Sequence, residues 1–135
     1  MQTRSRPKGP DAETVQIVFQ RALRGDVICC EVCGGPVTGE RGVDWALHHR
    51  RGRDERPDSH SAQNQMVVHG ADNVTACHGR IHRNTSGEAR AAGWLVSRNG
   101  INYDPLLVPV LIDDGSRRVY FGADGGYHDE LESAA

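Results

Sequence analysis

The stretch ALHHRRGR, residues 46–53, decides how this chain is read. Successive side chains of a strand point to opposite faces, so His48 and His49 cannot serve the same neighbours. VDWALHH (43–49) alternates well enough to read as a strand, which puts the histidines at its end. Arg50, Arg51 and Arg53 follow at once, and Arg56 extends a cationic run broken by Asp54 and Glu55. Residues 50–63, polar and containing Pro57, read as a loop. Such a run either grips phosphate or is simply a solvated surface.

On the far side of that loop, QMVV (65–68) suits a short strand, GADN (70–73) a turn and ACHGRIHRN (76–84) a helix. His78 and His82 stand four apart on that helix and share a face. On the near side, CEVCGG (30–35) places two thiols at the spacing of half a zinc site, with Gly34 and Gly35 to close the turn. A redox pair is the other reading of this CxxC, and a second half is needed to choose. Four cysteines, three of them crowded at 29, 30 and 33, do not resemble a secreted disulfide framework. Cys29 reads as a small buried hydrophobe.

At 135 residues the chain is expected to form one domain, and with 37% hydrophobic and 5% aromatic residues its core is small enough to need a staple such as metal. No apolar run approaches the roughly 20 residues of a membrane helix, and the polar start MQTRSRPKGPDAE does not read as a signal peptide. The net charge of −2 is unevenly spread: residues 1–100 hold 14 Lys/Arg against 11 Asp/Glu, while 101–135 hold 2 against 7. The acidity thus lies in the tail, where it limits non-specific DNA binding, meets a basic partner, or only adds solubility. Residues 1–10 read as a disordered basic arm. A helix is expected from Asp11 as N-cap to Gly25 as stop, then a second short helix in TSGEARAAGW (85–94), capped by Thr85 with Glu88 and closed by Gly93. Strands are expected in WLVS, LVPVLI and RRVYF. Units are therefore expected at 11–93 and 94–135, the latter a β extension with the acidic tail. His60 and His128 are expected to be exposed and without a role.

LHH, then Asn64 fifteen residues after His49, then CHGRIH, resembles the HNH endonuclease family. The knuckle and the GWLV…DP…VPV stretch are similar to the small HNH enzymes of actinobacterial phages. The motif resemblance spans 30–82, and a weaker one runs to about residue 127. It implies an α+β fold with a ββα-metal core stapled by a zinc knuckle. It also implies metal ligands at His48, His78 and His82, a general base at His49, and Asn64 holding that base in orientation. Family members with CxxC before the motif supply a second cysteine pair; here Cys77 stands in one of those places and His69 in the other, so the structural site is expected to be Cys30, Cys33, His69 and Cys77. Should His69 be only a turn residue, His82 would complete the zinc. Asn73 lies nearer the helix but in an expected turn, so Asn64 is preferred.

The implied activity is metal-dependent hydrolysis of DNA phosphodiesters, by nicking or double-strand cutting, with structural Zn²⁺ and one catalytic Mg²⁺, Mn²⁺, Ni²⁺ or Zn²⁺. Arg50, Arg51 and Arg53 are expected to contact DNA phosphates. The phage resemblance further implies DNA processing or packaging in the host cytoplasm, with a terminase subunit as a candidate partner. The alternatives are a zinc-stabilised DNA-binding module without catalysis, and a degenerate nuclease kept for assembly. Against the module stands the surplus: four structural ligands leave His48, His49 and His78 without a purpose.

Overall fold

A computed structural model describes residues 9–99 and 103–131. Most of the expected basic arm and the last residues of the tail lie outside them.

Helix α1 (Ala12–Arg21) starts as its sequence requires: the Asp11 carboxylate accepts the Thr14 N–H at 2.8 Å. It ends at Ala22, not at Gly25, which at φ +66° makes the turn between β1 (Leu23–Arg24) and β2 (Val27–Ile28). That backbone conformation suits a residue without a Cβ.

Strands β3 (Trp45–His49) and β4 (Gln65–His69) pair antiparallel, with His48 opposite Met66 and His49 opposite Gln65. A single 3₁₀ turn, Ala62–Asn64, leads into β4. Strand β4 is buried on both sides. Met66 and Val68 join one core with Ile81, Trp94, Val110, Val119 and Phe121, while Val67 joins another with Val18, Ala22 and Trp45. Helix α2 (Ala76–Arg83) packs against β4, and the short α3 (Glu88–Ala91) follows it. The result is a small mixed α+β domain with short sheets.

The carboxy-terminal sheet runs β5 (Val110–Ile112), β6 (Arg117–Phe121), β7 (Tyr127–His128), all antiparallel. Its residues Val110, Ile112, Val119 and Phe121 lie in the same core as Met66 and Ile81, so this sheet is built into the domain instead of hanging from it. Two further local expectations fail. WLVS is not a strand, because its backbone is occupied elsewhere: Val96 N–H bonds Arg50 O, and Trp94 O accepts from the His48 ring. The Thr85–Glu88 capping box is also absent. Gly87 is the N-cap of α3, and Glu88 instead holds Arg80 at 2.7 and 3.2 Å. Gly93, at φ +76°, does close α3. No described helix is long and apolar enough to cross a membrane.

Candidate metal centres

Two groups of ligand side chains assemble around the β3–β4–α2 unit. In the first, Cys30, Cys33, His69 and Cys77 bring one ligand atom each within 4.8 Å of one another. The knuckle is shaped by Gly34, which at φ +80° returns its N–H to Cys30 O at 2.8 Å, and Cys30 N–H bonds Gly35 O at 2.8 Å. Glu31 fastens it to β4: its N–H bonds Val67 O, and its carboxylate accepts the Val67 N–H. His69 comes from the end of β4 and Cys77 from the first turn of α2.

His69 is oriented as a ligand should be. A carbonyl can only accept, so the His69 Nε2 facing Pro36 O at 2.9 Å carries the proton. The bare Nδ1 then lies 3.3 Å from Cys33 Sγ and 3.9 Å from Cys77 Sγ. Among the sulfurs, a hydrogen bond from Cys77 draws the Cys30 thiol down to about 5, and the same bond pushes Cys77 up. Burial pushes Cys33 up. Three soft sulfurs and one imidazole form a closed set that could hold a metal such as zinc.

The second group is His48, His78 and His82, again within 4.8 Å of one another. The His48 ring meets those of His78 and His82 edge-on, with centroids 5.2 and 5.6 Å apart, and the His78 and His82 rings are tilted at 5.2 Å. The same tautomer logic applies. His48 Nε2 donates to Trp94 O at 2.7 Å and His78 Nδ1 to Gly70 O at 3.2 Å, leaving a lone pair on the opposite nitrogen of each. Burial pushes the His48 imidazole down to about 3 and lowers His78 and His82 as well, so all three stay neutral at pH 7. Three neutral imidazoles, with no fourth ligand beside them among the described residues, make an open site.

His49 leaves β3 beside this group and meets His60, with His49 Nε2 3.0 Å from His60 Nδ1. Burial, then Arg53 and His60, push His49 down to about 4. A cleft of about 250 Å³ opens on His49 and is lined by Arg41, Arg53, Ala46 and Leu47 among others; its charged walls are both arginine.

The structure corrects the expectations for Arg50, Arg51, Asn64, His60 and His128. Arg50 is fully buried: it donates to Gly93 O, Gln63 O, Pro105 O and Val108 O and lies over the Phe121 ring. Arg51 is fully buried too, bound to Asp54, Asp58 and Tyr103 O. Neither guanidinium is available to a phosphate; of the three arginines only Arg53 is exposed. Asn64 does not touch His49, because its side chain is spent on Arg51 and Ser59. His60, expected to be idle, is half-buried against His49, and the half-buried His128 binds the Asp124 carboxylate at 2.9 Å. Nothing in the local sequence marks His60, and only the path of the loop reveals it. Cys29 is buried, as expected, outside both clusters.

Compared with protein-family models, curated proteins and solved structures, the chain has no match.

Proposed function

We propose that the chain is a metal-dependent DNA endonuclease of the HNH kind, and the observation that carries this reading is the open His48–His78–His82 group beside a separate, closed Cys₃His set. A structural role consumes four ligands. A second, three-ligand group with neutral imidazoles at the strand–helix junction is surplus to stability and suits an ion that must also meet substrate. A divalent ion held there would offset charge on the scissile phosphate and on the departing oxygen.

The chain's own residues supply the rest. His49, kept free of a proton at neutral pH by burial and by Arg53, takes a proton from the attacking water. The water oxygen bonds to phosphorus, the P–O3′ bond breaks to leave a 5′-phosphate, and the departing O3′ takes a proton from solvent to become the 3′-hydroxyl. Arg53 and Arg41, in the cleft that opens on His49, meet the backbone phosphates in place of the buried pair. The resemblance to phage enzymes extends the proposal to DNA processing or packaging in the host cytoplasm, with a terminase subunit as partner.

The test is plasmid cleavage by zinc-loaded protein with Mg²⁺, Mn²⁺, Ni²⁺ or Zn²⁺, with EDTA, and with a His49→Ala variant that retains its zinc. Metal-dependent cutting that His49→Ala lacks supports the reading. DNA binding without cutting under every ion replaces it with the non-catalytic zinc-stabilised module.

A further inference from the structure

We propose that His60 is the positioning residue for His49, fixing the tautomer and orientation of that imidazole; its use in catalysis rests on the nuclease reading above. The two rings meet edge to face, centroids 5.1 Å apart at 79°, with His49 Nε2 3.0 Å from His60 Nδ1. One of these nitrogens donates and the other accepts. His49 takes a proton at Nδ1 only if that atom is bare, so Nε2 carries the hydrogen and His60 Nδ1 accepts it.

The placement of His60 is built, not incidental. Asn64 Nδ2 donates to Ser59 O at 2.9 Å and Arg51 O at 3.0 Å, while Asn64 Oδ1 accepts the Arg51 N–H at 2.7 Å. Ser59, 2% exposed, receives the Asp54 N–H on its hydroxyl at 3.1 Å and bonds Arg56 O through its own N–H. The Arg51 guanidinium ties Asp54 and Asp58 into the same loop. The residue immediately after this clamp is His60. Asn64 therefore acts on His49 at a distance, by fixing the loop whose next side chain holds the base.

The experiment uses the zinc-loaded full chain as wild type, His60→Phe and His60→Asn. Phenylalanine keeps a ring at the position without a nitrogen; asparagine returns an acceptor near the place of Nδ1. Long-range ¹H–¹⁵N spectra of the His49 ring report its tautomer, and zinc content and melting confirm the fold of each variant. The wild type is expected to show one His49 tautomer, protonated at Nε2. His60→Phe is expected to average the two and to lower kcat about tenfold with KM unchanged, and His60→Asn to restore both. A His49 tautomer that stays fixed in His60→Phe overturns the proposal. A lost tautomer with unchanged kcat overturns the catalytic service while leaving the nuclease intact. If the wild type cuts no DNA under any ion, the nuclease reading falls by itself, and the ring spectra still decide whether His60 positions His49.

Discussion

Asn64 grips Arg51 by both edges of its carboxamide: Oδ1 accepts the Arg51 N–H at 2.7 Å and Nδ2 donates to the Arg51 carbonyl at 3.0 Å. Such a pair holds the end of β3 to the start of β4 across the whole intervening loop. Asn64 is fully buried, so cutting it to alanine strands the Arg51 N–H and carbonyl, while Ser59 O keeps only its bond from Gln65 Nε2. Asn64→Ala is expected to cost about 3 kcal/mol, read by urea unfolding of the zinc-loaded protein, with zinc stoichiometry unchanged. Full stability in this variant would show that the loop is held elsewhere.

His69 stands where a fourth cysteine would complete a familiar zinc set, and its bare Nδ1 already faces two sulfurs. His69→Cys is expected to keep tightly held zinc under competition by a chelator. His69→Ala is expected to lose it, along with much of the cooperative unfolding transition, because structural zinc binding contributes directly to folding. Retention of zinc by His69→Ala would move the fourth ligand to another residue.

Arg50 and Arg53 are close in sequence yet opposite in role. Arg50→Met deletes four donations to backbone carbonyls in the interior and is expected to destabilise by about 3 kcal/mol or more, since buried acceptors are left unpaired. Arg53→Ala is expected to leave melting unchanged and to lower the magnitude of the salt slope of DNA binding by about 0.9. The reverse pattern would return phosphate contact to Arg50.

Why one arginine could be read from the sequence and its neighbours could not is a matter of range. The strand ending in LHH, the helix carrying His78 and His82 and the knuckle follow from local period and spacing, His69 is expected only through the family resemblance, and the structure brings both ligand sets together. Whether RRGR faces water or the core depends on carbonyls near residues 93 and 105–108, which sequence spacing does not reveal. His60 meets His49 only because the loop folds back, and WLVS is no strand because the His48 ring takes the Trp94 carbonyl and the Arg50 carbonyl takes the Val96 N–H. Tertiary hydrogen bonding overrode the local pattern in each case. The family resemblance carried residue types and order, but it assigned to Asn64 a contact that His60 makes.

The buried His48 also predicts an acid dependence. Its folded imidazole is pushed down to about 3 by burial, whereas an unfolded one titrates near 6.5. Between those values the unfolded chain binds a proton that the folded chain refuses, so stability is whole above about pH 6.5 and declines as pH falls toward 3. In His48→Gln the amide can still donate to Trp94 O but does not titrate. The wild type is therefore expected to lose about 2 kcal/mol more than His48→Gln between pH 6.5 and 5, measured by denaturant unfolding of the zinc-loaded proteins at each pH. Any ion bound at His48, His78 and His82 steepens that difference, since protons compete for the same lone pairs. Parallel curves for the two proteins would mean that the folded chain takes up a proton at His48 as readily as the unfolded one, and that burial does not hold this imidazole neutral.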